Sequence, residues 1–204
     1  MTSLVNQHVQ AIVSAYSDAL AILHRDLLDC TEEASTALSK VNKADAGDHP
    51  GHVLAPVVRR RLSKQLGPDL EGTNLSLDVV QFDGLRLRFL EEGRPAVIAR
   101  IRKRKPRTIA LTPEEWPGSL VGLPGELVIL WDVRDDQLQT TVLARVDRDS
   151  LDEEVLVIFE EEPLPPPAPK AYQPPAGSSN DDDDLGGVVK SRDDEQRRDG
   201  TDSA

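Results

Sequence analysis

Residues 75–90, Leu-Ser-Leu-Asp-Val-Val-Gln-Phe-Asp-Gly-Leu-Arg-Leu-Arg-Phe-Leu, contain the strongest fold signal in this chain of 204 residues. Two apolar runs flank Asp83-Gly84, a dipeptide typical of the tight turn of a β-hairpin. In the second run, Leu85, Leu87 and Phe89 alternate with arginines, so that one face of the strand is apolar and the other is charged. The stretch therefore predicts two antiparallel strands that are buried on one side.

Similar runs follow along the chain. Strands are predicted at residues 75–82, 85–92, 95–102, 108–111, 127–133, 138–146 and 154–160. No helix long enough for a parallel crossover separates these runs, which favours antiparallel pairing between neighbours. The sequence predicts a β-rich domain over residues 73–161, folded as an antiparallel sandwich or a partly open barrel of about seven strands.

N-terminal to the strands, residues 3–41 predict one long amphipathic helix within a helical arm of residues 1–45. A break at Thr31 would turn this helix into a helical hairpin. Apolar residues recur at steps of three and four, which places them on one stripe: Val5, Val9, Ile12, Tyr16, Leu20, Leu23, Leu27, Cys30, Ala34, Leu38 and Val41. This stripe can pack on the β-domain of the same chain, or it can bind a partner helix or a second copy.

Two further segments complete an α+β organisation. Residues 46–72 predict a linker followed by a short basic helix, with Pro56 in its first turn and Gly67-Pro68 at its end. Residues 162–204 are rich in proline and acidic residues and contain little apolar surface to bury. They predict a disordered tail.

Charge is strongly segregated along the chain. The net charge is −12, yet residues 53–107 contain thirteen Lys and Arg against six Asp and Glu. The basic residues form two clusters: Arg59, Arg60, Arg61 and Lys64, and then Arg100, Arg102, Lys103, Arg104, Lys105 and Arg107. The clusters can contact the phosphates of a nucleic acid. Alternatively, they pair with the acidic strands that follow residue 108, form a solvated edge, or are masked by the acidic tail.

The sequence contains no motif of a known catalytic site. It has no nucleophile elbow, phosphate-binding loop, dinucleotide fingerprint or metalloprotease helix. The single cysteine, Cys30, excludes an intramolecular disulfide, and His49 and His52 lie in a linker that offers little geometry for a metal. We therefore expect no enzyme activity, no metal and no cofactor.

The expected compartment is the cytoplasm, without a membrane association. The N-terminus lacks the pattern of a signal peptide, and no run of apolar residues is long enough for a membrane span.

The predicted function is that of a non-enzymatic interaction or regulatory protein. It would bind a protein partner or self-associate through the helical stripe, with the β-domain as a scaffold and the acidic tail as a flexible segment. The stripe residues expected to bind are Val5, Val9, Ile12, Tyr16, Leu20, Leu23 and Leu27. The alternative is a nucleic-acid-binding regulator that uses the two basic clusters.

Overall fold

Three helices lie on one face of a sheet of seven strands. The computed structural model describes residues 7–42, 50–80, 84–112, 125–134 and 137–170, and gives only the backbone for residues 41–42 and 50–53. The helices are α1 (Val9–Ala15), α2 (Ser17–Asn42) and α3 (Pro50–Asp69). The strands are β1 (Leu75–Val80), β2 (Gly84–Glu91), β3 (Arg94–Lys103), β4 (Thr108–Ala110), β5 (Glu126–Arg134), β6 (Gln137–Val146) and β7 (Leu156–Pro163).

The α+β class and the positions of all seven predicted strands are confirmed, whereas the purely antiparallel arrangement is wrong. The strands form one mixed sheet in the order β1-β2-β3-β5-β6-β7-β4, which does not close into a barrel. Strand β3 pairs in parallel with β5, from Arg100 opposite Val128 to Lys103 opposite Trp131. Strand β4 pairs in parallel with β7. All other neighbours are antiparallel.

The parallel pairs arise without a crossover helix among the described residues. After β3 the chain runs to the far edge of the sheet, where it forms β4, and then returns to begin β5 beside β3. Parallel strands need a long connection, which is a helix in a βαβ unit. Here the connection from β3 to β5 includes the short strand β4 at the opposite edge of the sheet. The prediction of antiparallel pairing was wrong because it assumed that only a helix can connect two parallel strands.

The main core lies between the helices and the sheet. It contains the buried face of all three helices together with alternate residues of β1, β2, β3 and β5, among them Leu87, Phe89 and Ile129, each 0% exposed. A smaller apolar cluster lies on the opposite face, where Val128, Ala144 and Ile158 pack against Leu151 of a 3₁₀ turn (Asp149–Leu151). The helices and strands therefore share one core within a single compact unit, Met1–Pro169.

The helices differ from the prediction in their boundaries. The break between α1 and α2 falls at Tyr16, not at Thr31. The Tyr16 hydroxyl donates to the carbonyl of Leu90, and the rings of Tyr16 and Phe89 form a T-shaped pair with centroids 5.0 Å apart. Thr31 lies within α2, where its hydroxyl donates to the carbonyl of Leu27 at 2.7 Å.

The third helix is longer than predicted, because it continues through Gly67-Pro68 to Asp69, begins at Pro50 and contains Pro56 in its interior. A proline there removes one backbone hydrogen bond of the helix. Leu54 and Val58 on either side of it are buried in the main core, and this packing holds the helix together.

The boundary expected between residues 161 and 162 falls inside β7. Beyond that strand, Leu164 is buried, and the backbone N–H of Ala168 donates to the carbonyl of Ala21 at 2.9 Å. The imidazole of His24 contacts the carbonyl of Pro165 at 2.7 Å. The first proline-rich residues therefore lie along α2. The predicted disorder of residues 171–204, the linker around His49 and the stripe residue Val5 lie outside the described residues.

Candidate functional site

The apolar stripe of the N-terminal helices faces the sheet of its own chain. Val9, Ile12, Tyr16, Leu20, Leu23 and Leu27 are each 5% exposed or less. Of the two interpretations left open by the sequence, the structure shows packing on the β-domain. Polar residues at these positions would disrupt the core, so replacing them cannot isolate a partner-binding role.

The second basic cluster is largely neutralised by acidic residues that follow residue 108. Its ion pairs are Arg100–Glu126 at 3.6 Å, Arg102–Asp152 at 3.2 Å, Arg104–Glu161 at 3.1 Å and Arg107–Glu154 at 2.8 Å. The Lys105 ammonium donates to the carbonyls of Ser150 and Glu153. Among the described residues, neither Lys105 nor Lys103 forms an ion pair with a carboxylate. Most of this cluster therefore joins β3 and the following segment to the rest of the sheet.

The first basic cluster is different, because most of its charge faces solvent. Arg61 pairs with Glu33 of α2. Arg59, Arg60 and Lys64 are exposed on α3, and none of the described carboxylates lies within ion-pair distance of them. These three cations therefore have no internal acidic partner among the described residues.

Arg59 and Arg60 form one wall of a groove between α3 and the sheet edge. The groove has a volume of about 280 Å³. We call it the α3–β1 groove, and its lining is Pro56, Arg59, Arg60, Ser63, Val79, Val80, Gly84 and Leu85. The guanidinium stem of Arg59 lies over Gly84, which has a φ of +86° that favours glycine. Val79, on the opposite wall, is 61% exposed, so apolar surface and positive charge lie side by side.

A larger depression of about 570 Å³ lies where the first half of β3 diverges from β5. Its charged groups include Arg100 and Arg148, and both pair with the same carboxylate, Glu126, at 3.6 and 3.1 Å. One carboxylate offsets only one of these two guanidinium charges, so the positive charge of the depression is compensated only in part. It also borders residues 113–124, which lie outside the described residues.

A buried carboxyl lies between α2 and α3. Asp26 is 0% exposed, and its Oδ1 accepts two hydrogen bonds from Arg25, at 2.9 and 2.7 Å. Burial raises the pKa of Asp26 from 3.8 to about 6, against the opposing effect of Arg25. The sequence carried a signal for this group, because Asp26 stands three residues after Leu23 and four before Cys30, inside the apolar stripe.

Cys30 is an unreactive core residue in this setting. Burial, reinforced by the charge of Asp26, raises the pKa of its thiol to about 12. The thiolate, which is the nucleophilic form, is therefore scarce at neutral pH.

Within the described ranges, no three His, Cys, Asp or Glu side chains come together in an arrangement that could hold a metal ion. Among the same residues, every helix falls short of the length and apolarity that a bilayer crossing requires.

Comparison of the chain with protein-family models, with curated proteins and with solved structures finds no match. We therefore draw the function from the residues of the chain itself. The α3–β1 groove is the strongest candidate site. Sequence reasoning identified its cations but missed Pro56 and Val79, since no sequence pattern shows which strand occupies the edge of a sheet.

Proposed function

We propose that this chain is a non-enzymatic interaction protein that binds an acidic segment of a protein partner in the α3–β1 groove. The observation that carries the proposal is the exposure of Arg59, Arg60 and Lys64, none of which has a described carboxylate within ion-pair distance, next to the exposed side chain of Val79. In the second cluster, most of the basic residues already have acidic partners. Arg59, Arg60 and Lys64 can therefore form ion pairs with the carboxylates of a partner.

The mixture of charge and apolar surface favours a peptide over a polyphosphate. A nucleic acid needs rows of cations, and stacking platforms when it is single-stranded. The groove offers two cations, Arg59 and Arg60, beside an aliphatic wall of Val79, Val80 and Pro56, and Lys64 follows one turn later on α3. An acidic peptide with aliphatic residues complements both features. The binding surface thus moves from the stripe of the helical arm to α3 and the edge of the sheet.

The test is a binding titration with a fluorescein-labelled peptide of alternating glutamate and valine. The variant Arg59→Gln/Arg60→Gln/Lys64→Gln removes the exposed cations. A matched variant, Arg102→Gln/Arg104→Gln/Arg107→Gln, removes the same charge from the cluster that is internally paired. We expect the first variant to bind about tenfold more weakly, because three exposed ion pairs together contribute about 1.5 kcal/mol.

The matched variant is expected to bind like wild type, with circular dichroism showing that both variants fold. An equal loss in the two variants would mean that only net charge matters, and it would contradict a specific groove. Nucleic-acid binding is the second candidate function, favoured by the same three exposed cations. It predicts that a labelled DNA duplex binds more tightly than the peptide, with a logarithmic salt slope of about −2.7 for three phosphate contacts.

A further inference from the structure

The two edges of the sheet are not equivalent. Strand β4, at one end of the strand order, has three residues, and short edge strands of this kind resist the addition of another strand. Strand β1, at the other end, has six residues, Leu75–Val80, and carries a single charge, Asp78, whose carboxylate pairs with Arg88 at 2.6 Å. Strand β1 therefore lacks the common protections of an edge strand.

The register of β1 with β2 shows which backbone groups point away from the sheet. Leu75 lies opposite Phe89, and the carbonyl of Asn74 accepts from the N–H of Leu90 at 2.9 Å. Residue pairs of an antiparallel ladder alternate between hydrogen-bonded and non-hydrogen-bonded positions. Ser76 and every second residue after it thus turn their backbone groups toward β2, whereas Leu75, Leu77 and Val79 turn theirs outward.

The first of these outward positions is already satisfied. The hydroxyl of Thr73 accepts from the N–H of Leu75 at 3.1 Å and contacts its carbonyl at 3.2 Å. No described residue forms a hydrogen bond with the outward groups of Leu77 and Val79. These residues thus present two N–H donors and two carbonyl acceptors along the edge, and Val79 also lines the α3–β1 groove.

We infer that the acidic segment binds by strand addition, pairing its backbone with Leu77 and Val79 while its carboxylates face Arg59 and Arg60. This inference rests on the proposed function and specifies how the partner is held. In an added strand, side chains alternate between the two faces of the sheet. The residues on the helix side meet α3 and its guanidinium groups, so every second residue of the partner is selected for negative charge.

The charge of the groove argues against a second copy of this chain as the occupant. Pairing two β1 edges would bring the Arg59 and Arg60 of both copies toward one shared edge, and among the described residues neither arginine has a carboxylate within ion-pair distance. An added acidic strand instead forms backbone hydrogen bonds with the edge of β1 and ion pairs with the arginines. The mass of the free protein in solution, measured by light scattering, tests this point. If wild type is a dimer and Val79→Pro is a monomer, the occupant is a second copy and the assignment to a peptide partner is overturned.

The decisive experiment compares Val79→Pro with Val79→Thr, using the same peptide, acetyl-Glu-Val-Glu-Val-Glu-Val-Glu-amide with a fluorescein label. Proline removes an N–H that faces outward, so the ladder with β2 stays complete, and proline is tolerated on edge strands for this reason. Threonine keeps the N–H and the branched shape. We expect Val79→Pro to lower the affinity about tenfold and Val79→Thr to change it less than about twofold.

A second arm leaves the protein unchanged. In an antiparallel added strand, the residues that form hydrogen-bonded pairs with Leu77 and Val79 also share their helix-side face, and these are the glutamates. A peptide N-methylated at its four glutamates cannot pair along that edge, and we expect it to bind about tenfold more weakly. In wild type, the amides of Leu77 and Val79 should gain protection from hydrogen exchange when the unmodified peptide is added. Normal binding by Val79→Pro and by the N-methylated peptide would overturn strand addition, while a continued loss in the arginine and lysine variant would leave the proposed function standing. Absence of binding to wild type would overturn both.

Discussion

The buried carboxyl of Asp26 makes a specific prediction about stability and pH. Its side chain is 0% exposed, and Oδ2 has no hydrogen-bond partner in the part of the chain that the structure describes. Removal from water raises the pKa of Asp26 from 3.8 to about 6, although the neighbouring Arg25 acts in the opposite direction. The folded protein therefore holds this proton more tightly than the unfolded chain does.

The sign and size of the effect follow from proton linkage. Below about pH 4, Asp26 is protonated in both states and contributes no pH dependence. Between about pH 4 and pH 6 the unfolded chain loses the proton first, so the free energy of unfolding falls as the pH rises. Above pH 6 the penalty is complete, and a pKa difference of about two corresponds to about 3 kcal/mol.

The perturbation is Asp26→Asn, which keeps an oxygen for Arg25 and resembles the protonated carboxyl. We expect the variant to be about 3 kcal/mol more stable than wild type at pH 8 and about equally stable at pH 4. The assay is urea unfolding followed by circular dichroism at pH 4, 6 and 8. The control is Glu32→Gln, an exposed position on the same helix, which removes one negative charge without removing a buried one.

A variant that is less stable than wild type at pH 8, or a difference that stays constant from pH 4 to pH 8, would refute the reasoning. The first result would mean that the charged pair of Asp26 with Arg25 stabilises the helices more than desolvation destabilises them. The second would mean that Asp26 is ionised in the folded protein over the whole range.

Three further changes test the packing by urea unfolding. Arg145→Ala removes a guanidinium that is 2% exposed and donates to Glu160 at 3.0 Å and to the carbonyl of Gln7 at 2.9 Å. It should cost about 3–5 kcal/mol, because Glu160 loses its buried cationic partner and keeps only the contact with His8; a cost below about 1 kcal/mol would contradict this. Gly125→Ala should cost more than about 2 kcal/mol, since φ is +90° and a Cβ would approach a ring carbon of Phe159 at 2.8 Å. Gly67→Ala, with nothing within 4 Å of the added atom, is the control and should stay within about 1 kcal/mol of wild type. Leu27→Ala should cost about 2–5 kcal/mol, and an unchanged midpoint would show that the stripe is not packed in the core.

Much of the local structure was predictable, because the signals for it are local. The alternation of Leu85, Leu87 and Phe89 with arginines places one face of β2 in the core, and this follows from the two-residue repeat of a strand. The apolar stripe of α2 likewise follows from the helical repeat. The cations of the candidate site were predictable, since the basic cluster that begins at Arg59 is visible in the sequence.

The sequence by itself determined where the strands and helices lie and which of their faces are apolar, because these properties depend on neighbours within a few residues. The tertiary structure decided what covers each face. It placed β3 in parallel with β5, packed the stripe on the sheet and left β1 at an edge. The tertiary structure also decided which cations form ion pairs. Arg102 and Asp152, for example, are fifty residues apart in the sequence and come within 3.2 Å only in the folded sheet. Pairing of charges and strands over long separations depends on topology, and many topologies satisfy the same local pattern.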